Sequence, residues 1–160
     1  MLCVGESMTS FAKTVDRYLA EGAPVTVATV RGFGEMNHCR FRFYGAPNLD
    51  EESAVMLYLL GESLVARRAE DVLAVAAWMK SRFGAPVVLD AHSRAAIPAA
   101  HAFALERGLF RSLKLTAAPK SWTEVVQGGL AFPFADSVNG ALRAYDWTEL
   151  ASSASGVGGE

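Results

Sequence analysis

Short apolar runs alternate with longer segments of helical periodicity, and this alternation constrains the fold more than any other feature of the chain. Residues 24–30 (P-V-T-V-A-T-V) are rich in β-branched side chains and carry no polar alternation. Such a run is typical of a strand that is covered on both faces. Residues 86–90 (P-V-V-L-D) have the same character, residues 2–5 form the end of another strand, and residues 113–117 are a further candidate.

Helical spacing of apolar residues separates these predicted strands. It predicts helices over residues 9–20, 51–59 and 63–82, and an alanine-rich helix from the end of the 86–90 strand to about residue 107. Strands that alternate with helices require a parallel sheet with right-handed crossovers. The predicted fold class is therefore α/β, with helices on both faces of the sheet in a three-layer α/β/α arrangement.

The chain has 160 residues, of which 51% are hydrophobic, so it can bury one sizeable core. Residues 1–150 are predicted to form this single domain, with an irregular connection over residues 32–50. Beyond residue 119 the pattern weakens into short helical pieces. Residues 151–160 are rich in serine and glycine and are predicted to form a flexible tail.

Charge and cysteine content argue against several classes of partner. The net charge is −2 without a dense basic cluster, so a nucleic-acid partner is not expected. Two cysteines, Cys3 and Cys39, provide neither a disulfide framework nor a zinc site. Charged residues interrupt the first 22 positions, which argues against a signal peptide or membrane anchor. We expect a soluble protein, cytoplasmic by default, although the sequence leaves the compartment open.

The most informative segment is the junction at Ser93, where A-H-S-R-A (residues 91–95) joins a buried strand to a helix. A serine on such a sharp turn can project its Oγ from the carboxyl edge of the sheet. Because the strand and helix backbones approach closely there, small residues are needed two positions before and after the serine. Ala91 and Ala95 meet that need. The alternative is that Ser93 serves only as a helix N-cap.

A second motif gives Ser93 a context. The segment R-G-F-G-E (residues 31–35) resembles the D-x-R-G-x-G-x-S segment that follows the fourth strand of many α/β-hydrolases. It is followed by a helix with two arginines and an aspartate, then V-V-L-D-A-H-S-R-A-A, a strand, and Y-D-W-T-E-L (residues 145–150). This order is similar to that of the acetyl-xylan-esterase and prolyl-oligopeptidase-like branch of the superfamily. The resemblance covers most of residues 1–150.

The resemblance implies a strand order and a set of site residues. The four predicted strands would correspond to the third to sixth of the family sheet, so the first would lie between the second and the third. Ser93 would be the catalytic nucleophile, with the backbone N–H of Arg94 and that of Glu6 or Ser7 binding the oxyanion. Gly5 and His92 would be neighbours of the site. His38, in the long connection, is a further candidate neighbour, although the family gives it no such role. The family reaction uses no metal and no organic cofactor.

The sequence departs from the family in the acid and the histidine of the catalytic triad. The acid and the histidine of the triad are expected downstream of the last predicted strand, and the chain supplies neither in a recognisable position. The three histidines are His38, His92 and His101. His92 is expected to point to the other side of the turn and His101 to face away from the strand end, and neither Asp136 nor Asp146 is assigned as the acid. The domain is therefore predicted to be an incomplete hydrolase with weak or absent turnover.

Two interpretations of function stay open at this stage. One is a serine hydrolase-like domain that acts on a small ester or a peptide. The other is a non-catalytic binding or assembly module, or a truncated remnant, which associates with itself through open sheet edges.

Other residues are predicted to have structural uses. Gly32 and Gly34 suit turn geometry better than phosphate binding, and the His38–Cys39 pair is expected to be no metal site because a second ligand pair is absent. Trp122 and Trp147 are interpreted as packing residues. Asp71 is expected to form an ion pair with Arg67 or Arg68 on the same helix.

Overall fold

Four parallel strands form the sheet in the computed structural model, which describes residues 1–5, 8–36 and 49–152. They are β1 (Leu2–Val4), β2 (Thr26–Ala28), β3 (Val87–His92) and β4 (Phe110–Thr116). Their order in the sheet is β2-β1-β3-β4, and each neighbouring pair is parallel. The predicted fold class is confirmed, and the first strand lies between the second and the third as predicted.

Six helices accompany the strands in the described ranges. They are α1 (Ala12–Ala20), α2 (Leu49–Leu59), α3 (Leu64–Phe83), α4 (Ala96–Leu105), α5 (Trp122–Gln127) and α6 (Trp147–Ser152). The bounds of α3 follow from its ends: the backbone N–H of Ala66 donates to Oγ of Ser63, and Gly84 ends the helix at a φ of 73°. None of these helices is both long and apolar enough to cross a bilayer.

The two faces of the sheet are covered by different helices. Leu2, Val4, Leu89 and Ala91 pack with residues of α3 and α4 in the main core. The alternate residues Met1 and Cys3 face the other way and pack on Phe11, Val15 and Tyr18 of the α1 region. Because successive side chains of a strand point to opposite faces, this alternation produces the three α/β/α layers.

Two strand predictions differ from the structure. Strand β2 is half-buried rather than covered on both faces, because it is the edge strand of the described sheet and lies beside β1 alone. Strand β4 begins at Phe110 rather than near Leu113, and its pairing with β3 contains an irregularity at Val87/Val88. Periodicity did not reveal the start of β4 because this irregularity interrupts the alternation.

The weakly patterned segment after β4 is ordered by two tryptophans. Trp122 and Trp147 are 5% and 2% exposed and pack with Ile97 and Ala100 of α4. Their interpretation as packing residues agrees with the structure. Ser121 and Glu124 form a capping box at the start of α5, so this helix has a local signal even though it is short.

Candidate active site at the end of strand β3

Ser93 occupies the sharp turn between β3 and α4. The strand ends at His92, a 3-10 turn covers Ser93–Ala95, and α4 begins at Ala96. The φ of Ser93 is 56°, in the left-handed region. For a residue other than glycine this conformation costs of order 1–3 kcal/mol and is held only when the surroundings require it. The turn is therefore strained at the position of the hydroxyl.

The residues two positions before and two positions after Ser93 are alanines with no exposed surface. Ala91 lies beside Val4 of β1, and Ala95 packs in the core between the sheet and the helices. A larger side chain at either position would have to displace packed core residues. The steric requirement predicted from A-H-S-R-A is met in the structure.

Strand order reverses next to this turn. The chain leaves β1 towards β2 on one side and returns to β3 on the other, so Gly5 and Ser93 follow two adjacent strands at the carboxyl edge. A β-carbon at Gly5 would lie 2.6 Å from Cε2 of Phe11 and 3.7 Å from Cβ of His92. Open α/β sheets bind their ligands at such a switch point.

His92, the last residue of β3, contacts Asp90 and Phe11. Its Nε2 lies 3.1 Å from Oδ1 of Asp90, and its ring centroid lies 4.3 Å from that of Phe11. Within the described residues this carboxylate oxygen has no well-aligned hydrogen bond, so the pair is a close contact rather than a directed bond. His92 is thus a packing neighbour of the site.

Four charged side chains beside the turn form an ion cluster: Asp50, Arg68 and Asp136, which are buried, and Arg94, which is 24% exposed. Nε of Arg94 donates to Oδ2 of Asp136 at 2.5 Å, and its Nη2 donates to Oδ1 at 2.9 Å. Arg68 lies between the two carboxylates, with Nη2 2.8 Å from Asp50 and Nη1 3.3 Å from Asp136. Two cations and two anions balance, which allows the charges to be buried.

The R-G-F-G segment closes over this ion cluster. The ring of Phe33 stacks 4.0 Å from the guanidinium carbon of Arg68 and 5.4 Å from that of Arg94. Nε of Arg68 donates to the carbonyl of Arg31 at 3.0 Å. A β-carbon at Gly32, whose φ is 79°, would collide with the Asp50 carboxylate. The two motifs found in the sequence therefore meet through Arg68 and Arg94.

Asp71 forms an ion pair, but the predicted partner was wrong. Both of its carboxylate oxygens bind the guanidinium of Arg31, at 2.9 and 2.5 Å. Arg67 instead binds Glu62 and Glu70 on the surface. Sequence spacing favoured a contact within α3, whereas the chain that leaves β2 brings Arg31 to the same carboxylate.

Burial shifts the pKa values of the ion cluster in opposite directions. Loss of solvation lowers the pKa of Arg68 and raises the pKa of Asp136, although Arg94 and Arg68 act against the latter shift. In both cases burial disfavours the charged form, so each charge depends on its partner. Removing one partner would leave the other uncompensated.

Three predicted site residues fall outside the described chain, and the histidine of α4 does not contact Ser93. Glu6, Ser7 and His38 lie outside the described residues. His101 is remote from the turn: its Nδ1 lies 2.8 Å from the Ile97 carbonyl and its Nε2 lies 2.9 Å from the hydroxyl of Tyr145. Within residues 1–5, 8–36 and 49–152, no histidine is hydrogen-bonded to Ser93.

The ion cluster was not predicted, although one position in the sequence indicates it. Arg68 lies four residues after Leu64 and four before Val72, in the middle of the buried stripe of α3. A charged residue at a core position needs a buried partner of opposite charge. Asp50 and Asp136 gave no comparable signal because their partners are distant in sequence.

The larger grooves on the described surface lie away from Ser93. One of about 710 Å³ lies between the end of α2 and the start of α3, and is lined by Tyr58, Glu62 and Arg67 among others. Another of about 460 Å³ is lined mainly by apolar residues around Trp122 and Leu142. The described residues include no group of three or more side chains placed to bind a metal.

The chain matches no protein-family model, and a search of curated proteins finds no significant match.

Proposed function

We propose that this chain carries the nucleophile-bearing part of a serine hydrolase of the α/β-hydrolase type, which acts on a carboxylic ester or a peptide through Ser93. The backbone of Ser93 is the observation that carries the proposal. A left-handed serine directly after a parallel strand, between two buried alanines and at the switch in strand order, is what a nucleophile turn requires. An ordinary helix N-cap has a negative φ and needs no small neighbours.

The proposed chemistry is acyl transfer. Oγ of Ser93 attacks the acyl carbonyl as its proton passes to water, and the tetrahedral intermediate collapses to an acyl-enzyme while the alcohol or amine leaves with a proton returned from solvent. Water then hydrolyses the acyl-enzyme to the free acid and restores the Ser93 hydroxyl. The backbone N–H of Arg94 is proposed to stabilise the oxyanion, with a second N–H from Glu6 or Ser7 in the turn after β1. No metal or organic cofactor takes part in this proposed reaction.

Turnover by this chain alone is proposed to be low. No histidine of the described ranges is hydrogen-bonded to Ser93, and a serine hydroxyl without a general base is a poor nucleophile at neutral pH. Strain at the turn and an oxyanion donor can still support slow reaction with a strongly activated electrophile.

A fluorophosphonate probe tests this proposal. We expect slow, stoichiometric labelling of Ser93 in the wild type and no labelling of Ser93→Ala, with the adduct located by peptide mass spectrometry. Ser53→Ala, at an exposed position of α2, is the matched control and should label like the wild type. A wild type that is not labelled at Ser93 refutes the nucleophile, and rapid hydrolysis of an activated acetyl ester that depends on Ser93 refutes the proposed low turnover.

A non-catalytic assembly module is the second candidate. The observation that favours it is the outer side of β4, which is seven residues long and pairs with no further strand of the described chain. Arg111 and Lys114 on β4 oppose pairing of two copies through repulsion of like charges. A dimer that strengthens with salt and protein concentration, together with absence of labelling at Ser93, would favour this candidate.

A further inference from the structure

Ser93 shares its left-handed backbone with one other non-glycine residue of the described chain, Ala117, at a φ of 51°. Ala117 is exposed after the end of β4, where the chain has few constraints. Ser93 lies between a central strand and a buried helix. Strain at such a position persists only when neighbouring contacts hold it.

The side chain of Arg94, the residue after Ser93, makes contacts that can hold the strained turn in place. The guanidinium of Arg94 forms two parallel bonds with the Asp136 carboxylate, and its Nη2 also lies 3.3 Å from Oδ2 of Asp50. A two-point bond between planar groups fixes orientation as well as distance. The backbone of Arg94 is thereby held in relation to two distant segments.

The binding site of Arg94 is itself largely buried. The side chains of Asp50 and Asp136 are 8% and 3% exposed, and both contact Arg68 of α3. Phe33 covers the two guanidinium groups from the other side. Helix α2, helix α3 and the turn Phe134–Asp136 therefore define where Arg94 can lie.

We propose that Arg94 is the positioning residue of Ser93: its two-point bond to Asp136 keeps the turn after β3 in the strained geometry that presents the hydroxyl. We call this two-point bond the Arg94 clamp. Its role in catalysis rests on the proposed function. The conformational claim does not, and it is measured separately.

A double-mutant cycle of urea unfolding measures whether the clamp maintains the strain at Ser93, and it needs no activity assay. Ser93→Gly should raise the urea midpoint of the wild type, because glycine adopts a positive φ without strain. The same substitution should raise the midpoint much less in an Arg94→Met background, where the turn is free to relax. Arg94→Lys provides the cycle if Arg94→Met does not fold, because lysine keeps the charge but lacks the planar fork.

Ala117→Gly is the matched control for the cycle. It relieves a similar φ at a site outside the ion cluster, so its gain should be the same in the wild-type, Arg94→Met and Arg94→Lys backgrounds. An equal gain from Ser93→Gly in all backgrounds, or no gain in the wild type, overturns the proposal.

The rate of fluorophosphonate labelling separates the clamp from the proposed function. If Ser93 is labelled in the wild type, Arg94→Lys should slow labelling by roughly tenfold or more, since small displacements of a reacting atom reduce rates strongly. An unchanged rate overturns the positioning role. If the wild type is not labelled at all, the proposed function fails, and the cycle alone decides whether the clamp exists.

Discussion

Two polar clusters lie near α4 and satisfy their buried polar groups in different ways. The ion cluster uses full charges, with Arg68 1% exposed between Asp50 and Asp136. The second group, the aromatic cluster, consists of His101, Trp122, Tyr145 and Trp147. Rings of the first three are in contact, His101 is hydrogen-bonded to Tyr145, and both tryptophans donate to backbone carbonyls.

The difference between the clusters concerns what happens when one member is lost. A buried charge without its partner is strongly unfavourable, whereas a neutral donor or acceptor loses much less. The clusters also touch, because the indole N–H of Trp122 donates to the carbonyl of Asp136 at 3.1 Å. The segment after β4 is therefore held by a charged bond at one end and by aromatic packing at the other.

Loss of Arg68 should have the largest effect on stability. Arg68→Met leaves Asp50 and Asp136 with only Arg94 between them, and breaking a buried ion pair in this way costs about 3–5 kcal/mol. We expect that decrease in the free energy of unfolding from urea titration followed by far-UV circular dichroism. Arg67→Met on the same helix is the control and should change little, since Arg67 pairs only on the surface. Equal effects of the two substitutions would mean that the ion cluster contributes no more than a surface pair.

Removal of the indole N–H from the aromatic cluster should be milder. Trp122→Phe leaves the Asp136 carbonyl without its donor and removes part of a buried ring, for which we expect a loss of about 1–3 kcal/mol. The same urea titration measures it. A loss as large as that of Arg68→Met would erase the contrast between the charged and the neutral cluster.

The aromatic cluster should also respond to moderately acidic pH. Burial lowers the pKa of His101 from its ordinary value of 6.5, although the Ile97 carbonyl acts against this shift. Because the unfolded chain then binds a proton more readily, stability should fall as the pH falls below about 6.5 and level off below the folded pKa. His101→Gln should lack this phase. A wild type with the same stability at pH 7 and at about pH 5.5 would contradict the prediction.

Asp146 beside the aromatic cluster acts in a lower range of pH. The N–H groups of Trp122 and Thr123 hold the pKa of Asp146 below 3.8 against the opposing effect of burial. The stability that Asp146 contributes is therefore present above pH 3.8 and is lost only as the pH falls through its folded pKa.

Elements with a strong local signal were predicted closely. Helix α3 has a serine cap, a glycine end and a repeated apolar stripe, so its prediction over residues 63–82 nearly matches Leu64–Phe83. Strand β2 was predicted as a fully covered strand from its run of β-branched residues and is half-buried at the sheet edge. A run of β-branched residues indicates a strand, but its place in the sheet depends on which other strands lie beside it.

The candidate site also combines features that local sequence predicts with features that depend on distant segments. The residues around Ser93 could be chosen from A-H-S-R-A because a sharp turn makes local demands on side-chain size. The ionic partners of Arg94 could not, because Asp50 and Asp136 lie 44 and 42 residues away and are reached only through α2 and the turn Phe134–Asp136. Asp71 was assigned to the wrong arginine for the same reason.

Order of elements, fold class and the site of the sharp turn follow from periods of two and 3.6 residues and from small residues at set spacings, all of which are properties of neighbouring positions. Which charges meet, and whether a strained serine is held in place, depend on segments that folding brings together from far apart. Coulomb and hydrogen-bond energies depend on separations of a few ångströms in space and not on distance along the chain. The ionic partners and the contacts that hold the strained turn are therefore determined by the tertiary structure.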